Sequence, residues 1–152
     1  MTYPSSGDKA SNRHTDTMAT NGSSHLSRSK VIAFVSTCDP PGAKAFYRDT
    51  LGLRFISEDQ FAIVLDAHGT MLRVSIVREL TPAAHTVLGW EVSDIVAAVN
   101  ELGKVGVKFQ RYDALPQDEV GIWTAPGGHR IAWFKDPDGN LLSVTQFAGA
   151  SA

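Results

Sequence analysis

The sequence predicts an α+β fold of two βαβββ modules. Their curved, mixed sheets enclose a cleft and carry the helices on their outer faces. Three observations predict it. Short apolar runs bounded by turn residues recur along the chain. The order strand, capped helix, three strands occurs twice. The two copies share anchors: Asp39 aligns with Asp94 and Ala43 with Ala98. After a one-residue slip, Gly52-Leu53-Arg54-Phe55 aligns with Gly106-Val107-Lys108-Phe109, a weak internal repeat.

In the first copy, Val31-Ile32-Ala33-Phe34-Val35 is a buried-strand run. Asp39 then serves as N-cap, with Pro40 at the first helical position. Ala43, Phe46 and Tyr47 lie at helical spacing, and Gly52 ends the helix. Strands follow at about Leu53–Glu58, Phe61–Asp66 and Met71–Val77, with His68-Gly69 turning between the last two. In the second copy, Thr86–Val92 is a strand and Asp94 the N-cap. Ile95, Ala98, Val99 and Leu102 form one helical face that ends near Gly103 or Gly106. Val107–Tyr112 reads as a strand, and Val120–Thr124 as its extension or an added strand. Arg130–Lys135 and Leu141–Gln146 pair across the turn Asp136-Pro137-Asp138-Gly139-Asn140.

Composition bounds the rest. The chain has 152 residues, 43% hydrophobic and 20% charged, which suits one soluble globular domain. A net charge of −2 provides no field for nucleic acid or an anionic membrane. A lone Cys38 excludes an intrachain disulfide framework and suits a reducing cytoplasm. No apolar run is long enough to cross a bilayer, and the first 29 residues contain no apolar signal core. Residues 1–29 are polar and are expected to be a disordered tail. Residues 30–148 are expected to form the domain, with modules at about 30–77 and 86–147 joined by Arg78–His85. Residues 149–152 are left as a C-terminal tail.

The segment Phe134–Ser143 around Asp-Pro-Asp-Gly-Asn, together with Ala45-Phe46-Tyr47-Arg48-Asp49-Thr50-Leu51-Gly52-Leu53, resembles the glyoxalase / bleomycin-resistance / extradiol-dioxygenase group, the vicinal oxygen chelate superfamily. The resemblance covers about residues 30–147. It implies the two-module fold and a small-molecule cleft. It leaves function open among lyases, isomerases, dioxygenases and drug-binding proteins. It also implies pairing, so a homodimer is expected.

Most enzymes of that superfamily hold a divalent cation through His, Glu or Gln on the first and last strands of each module. The resemblance places one ligand seven residues before each capping Asp, at Ile32 and Val87. The Glu that usually follows Asp-Pro-Asp-Gly-Asn is replaced by Ser143, and carrying Gly139 back onto Gly69 puts the remaining position at Arg73. Ile32 and Val87 have no donor atom, Arg73 is a permanent cation, and Ser143 is a weak neutral ligand. No metal and no other cofactor is expected.

Alternate residues share a strand face. Ile32, Phe34 and Ser36 are expected to face the cleft with Met71, Arg73 and Ser75. Val87, Gly89 and Glu91 join them, with Leu141, Ser143 and Thr145. The expected ligand-binding residues are Arg73, Ser36, Phe34, Trp123 and Ser143. Arg73 would hold a carboxylate or phosphate-like group, unless it pairs with Glu91. Glu91 and His85 are the candidate acid or base groups, with a structural role for each as the alternative. Trp90 and Trp133 are expected in the core, and Cys38 as a buried or half-buried, inert thiol.

The leading function is therefore a metal-free, small-molecule-binding protein with an organic, anionic ligand in the cleft. The alternative is a metal-dependent or metal-independent lyase, isomerase or dioxygenase.

Overall fold

The computed structural model describes residues 24–149. Most of the 1–29 tail and residues 150–152 lie outside the described residues. The chain divides between Lys30 and Val31 into two units. The described part of the first contains one helical turn, α1 (Ser24–Ser27), closed by the amide of Ser29 donating to the Leu26 carbonyl.

The second unit carries two four-stranded mixed sheets. The first runs β1 (Ile32–Thr37), β4 (Thr70–Ile76), β3 (Ala62–Ala67), β2 (Arg54–Glu58). The second runs β5 (Leu88–Glu91), β8 (Leu141–Gln146), β7 (Arg130–Lys135), β6 (Trp123–Thr124). In each sheet the first and last strands of the module are parallel neighbours, and the other pairs are antiparallel. That parallel pairing requires the helical crossover that both modules contain.

Both crossovers start on the aspartates the sequence marks. Asp39 accepts a hydrogen bond from the Gly42 amide at 3.2 Å, with Pro40 and Pro41 opening α2 (Pro40–Lys44). A Cβ at position 42 would lie 2.2 Å from an Asp39 carboxylate oxygen, so only glycine lets the cap close. The helix widens into a π-helical stretch over Ala45–Thr50, and Gly52, at φ +75°, terminates it. Asp94 accepts from the Ala97 amide at 3.0 Å and opens α3 (Ile95–Lys104). The Gln146 side chain accepts from the Ile95 amide at 2.9 Å, which ties α3 to β8.

One core serves both modules. Val35, Leu65, Leu72 and Val74 from the first sheet belong to the same buried cluster as Ala132, Phe134, Leu142 and Val144 from the second. Phe46 links them, packing edge-on against Tyr47 at 5.0 Å and against Phe134 at 6.4 Å. Trp90 stacks on Phe134 at 6.3 Å, on the core side as expected.

Two expected strands are largely absent. Val107–Tyr112 makes only the isolated bridge Phe109–Phe134. The reason is a competing side chain: Gln117 donates to the Gln110 carbonyl and accepts from the Tyr112 amide, so those backbone groups have no need of a ladder. Val120–Thr124 shortens to Trp123–Thr124. The Asp118 carboxylate captures the amides of Val120 and Ile122, and Gly121 turns at φ +95°.

Candidate functional site

The turn Asp136–Asn140 does more than join β7 to β8. The buried Asp136 carboxylate accepts from the Tyr47 hydroxyl at 2.7 Å, the Asn140 side chain at 2.8 Å and the amides of Asp138 and Asn140. Asn140 donates also to the Ser36 carbonyl at 2.8 Å, at the end of β1. Asp138 accepts from the Thr37 hydroxyl at 2.5 Å and the Cys38 amide at 2.9 Å. The second module's turn thus clamps the first module's strand β1 and its helix. Burial, then the adjacent Asp136 carboxylate, pushes the Tyr47 phenol well above its ordinary value. Cys38 is exposed rather than buried, because its position just ahead of Asp39 lies outside the packed helix face.

Each sheet has a second face, away from this shared core. Register decides what lies on it, since directly paired residues share a face. On the first sheet Ile32 pairs with Met71, Phe34 with Arg73 and Ser36 with Ser75. Ile32, Phe34 and Met71 are 44%, 57% and 41% exposed, and Arg73 is half-buried among them. On the second sheet Gly89 pairs with Ser143 and Glu91 with Thr145. Ser143 pairs also with Trp133, and Ile131 with Trp123, so both tryptophans lie on this face. Trp133 is therefore not a core residue. It stacks on Trp123 at 6.0 Å, meets Tyr112 edge-on at 5.5 Å and donates to the Thr86 hydroxyl at 3.1 Å. A cavity of about 310 Å³ opens beside it, lined also by His85, Leu115 and Leu141.

The candidate residues thus fall into two groups. Phe34, Ser36 and Arg73 share the first sheet; Glu91, Trp123 and Ser143 share the second, with His85 at its edge. Among the described residues no side-chain hydrogen bond, ion pair or ring contact joins the groups. Arg73 and Glu91 do not form an ion pair. The guanidinium of Arg73 is felt instead by Asp59. The Asp59 carboxyl is held below its usual range chiefly by the amides of Phe61 and Ala62, with a smaller contribution from Arg73. Sequence reading missed Tyr112, Thr86 and Leu115 around Trp133. Their only signal was proximity to a face that the strand pattern left open.

The four mapped metal positions are internally consistent in register. Ile32 lies two residues before Phe34, the partner of Arg73; Val87 lies two residues before Gly89, the partner of Ser143. The mapped positions therefore stand at matched registers in the two modules, with Val87 immediately before β5.

A family model described as Glyoxalase/Bleomycin resistance protein/Dioxygenase superfamily matches residues 25–144. The chain belongs to this superfamily. Solved members share its fold. A bleomycin resistance determinant encoded on transposon Tn5 is 21% identical, with a TM-score of 0.62 over 79% of this chain and 98% of that one. A glyoxalase/bleomycin resistance protein/dioxygenase from Alicyclobacillus acidocaldarius is 20% identical, with a TM-score of 0.61 over 80% and 92%. A lactoylglutathione lyase from Agrobacterium tumefaciens is 20% identical, with a TM-score of 0.54 over 78% and 93%. At these identities the likeness is one of fold. No match was found among curated proteins. The four mapped positions of this chain carry two alkyl groups, one guanidinium and one buried hydroxyl. Among the described residues no three His, Cys, Asp or Glu side chains converge on a point.

Proposed function

We propose that this superfamily member binds a small organic, anionic molecule on the open sheet faces and uses no divalent metal there. The observation that carries the reading is the chemistry of Ile32, Arg73, Val87 and Ser143 in matched register. A divalent cation needs several oxygen, nitrogen or thiolate donors. This set offers one neutral oxygen and a fixed positive charge. Arg73 is flanked by the exposed ring of Phe34 and by Val64 across β3, a setting in which a guanidinium fork suits a carboxylate or phosphate. Ser36 and Ser143 add hydroxyls, and Trp123 with Trp133 offers an aromatic wall. A screen of organic anions by thermal shift tests the reading. Ligands that raise Tm in the parent protein but not in Arg73→Met support it; a stabilising set made up only of neutral or cationic compounds would end it.

A metal-independent enzyme is the second reading, and His85 beside Trp133 favours it. An imidazole at a cavity edge is a common proton-transfer group in catalysis. His85→Gln should then abolish turnover of a bound ligand while leaving its affinity unchanged.

We further propose a cytoplasmic homodimer. No helix among the described residues is long and apolar enough to cross a membrane. Members of this superfamily often form dimers, which supports the pairing. Light scattering should give twice the chain mass at micromolar concentration; a monomer at high micromolar concentration contradicts the dimer.

A further inference from the structure

The largest cavity described, about 690 Å³, lies on neither open face. It sits at the far end of the second module, between the last turns of α3 and the segment 108–111. Its volume falls in the range of small-molecule sites, roughly 300–1,000 Å³. The apolar part of its lining is the buried Val99 from α3, the half-buried Phe109 and the exposed Val120. The rim carries Lys104, Lys108 and Arg111 against a single carboxylate, Glu119.

We propose that this cavity is a second binding site, for a small amphipathic carboxylate with one charged head and an apolar body. The proposal goes beyond the open-face site and shares no residue with it. Three features carry it. First, the two rim lysines lack partners. Among the described residues the Lys104 and Lys108 ammonium groups make no ion pair or hydrogen bond. Lys104, in the last turn of α3, offsets the helix dipole, but no such role accounts for Lys108 or Arg111. Second, the wall is built. Arg111 donates through one terminal nitrogen to the Asp118 carbonyl at 2.6 Å, which fixes its direction and leaves other N–H donors available. Gln117 binds the Gln110 carbonyl, the Tyr112 amide and the Gly121 carbonyl, locking segment 110–112 to the loop that carries Val120. Gly121 is packed so closely on Phe109 that an added Cβ would lie 3.0 Å from the Phe109 Cβ. Third, the charge balance selects the ligand. The three cations set against one carboxylate make the rim locally positive, which attracts an anion. Glu119 disfavours a highly charged one, and the Val99–Phe109–Val120 lining favours an alkyl or aryl body over a bare phosphate.

The test uses the full chain with octanoate as probe, followed by calorimetry and by amide shifts in NMR. The expected result is one octanoate per chain at this cavity, with shifts centred on Val99, Phe109 and Val120. Lys108→Met and Arg111→Met should each weaken it about five- to ten-fold, an effect of roughly 1–1.4 kcal/mol. Arg73→Met should leave octanoate binding here unchanged, which separates this site from the open-face proposal. The neutral analogue 1-octanol should bind at least ten-fold more weakly, and inorganic phosphate should not displace octanoate. Shifts confined to the open faces, equal affinity in Lys108→Met and Arg111→Met, equal binding of 1-octanol, or displacement by phosphate would each overturn the proposal. Both variants change exposed side chains, so their spectra should otherwise overlay the parent; a variant with a collapsed spectrum is replaced by Lys108→Gln or Arg111→Gln, held to the same thresholds.

Discussion

Asp136→Ala should cost about 3–5 kcal/mol of stability, the largest single-residue effect expected in this chain. One carboxylate satisfies four donors; the Tyr47 hydroxyl comes from the other module, and the Asn140 side chain that it holds also donates to Ser36 there. Removing the carboxylate leaves the fully buried Tyr47 hydroxyl without an acceptor and frees the Asn140 side chain that the turn presents to β1. For a domain of this length that corresponds to a fall in Tm of roughly 6–20 °C. Urea denaturation and calorimetry measure it; a loss below about 1 kcal/mol would show that the clamp contributes little. Tyr47→Phe removes only one of the four bonds and should cost about 2 kcal/mol. The same residue predicts a pH dependence. The Tyr47 phenol is raised in the folded protein by burial and by Asp136, so the unfolded chain releases this proton first. Its contribution is therefore intact below about pH 10 and falls as the pH rises beyond it. The alkaline limb of the stability curve should be flatter in Tyr47→Phe than in the parent.

Arg73→Met should weaken an anionic ligand about ten- to a hundred-fold and leave a matched neutral ligand almost unaffected, as expected for loss of charge-assisted hydrogen bonds worth roughly 1.5–3 kcal/mol. The resemblance maps Arg73 onto a slot where metal enzymes of the superfamily carry a ligand, which would reverse the sign of the charge there. The competing idea, a structural Arg73–Glu91 pair, predicts loss of stability without discrimination by ligand charge. No such pair is present among the described residues, so Tm should change by no more than about 2 °C. Calorimetric titration with matched anionic and neutral ligands decides the matter: equal losses for the two would remove Arg73 from the site.

The parts of the fold that were legible in the sequence are those where local chemistry and global fold agree. Asp39 and Asp94 cap helices because each carboxylate reaches its own first-turn amide. Arg130–Lys135 and Leu141–Gln146 are strands because the turn between them dictates an antiparallel pair. Val107–Tyr112 has the composition of a strand, yet Gln117, five to ten residues onward, takes its backbone partners. Strand propensity cannot register a side chain arriving from a later loop. Trp133 was misplaced for a related reason: a central strand of a two-faced sheet shows little alternation when large apolar residues cover both faces. The Asp136 network was hidden inside a turn motif, because nothing local shows that Tyr47, 89 residues earlier, ends beside it. For the candidate site, register confirms which residues share a face within each sheet, while the chemistry the face performs depends on a ligand that no strand pattern encodes.

The most direct test of the central claim is metal retention. The purified protein is equilibrated with excess Zn²⁺, Ni²⁺ and Mn²⁺, desalted, and its metal counted per chain by mass spectrometry. Far less than one equivalent of any of them should remain, because Ile32, Arg73, Val87 and Ser143 supply only one neutral oxygen. One tightly held equivalent per chain, lost on Ser143→Ala, would contradict that claim.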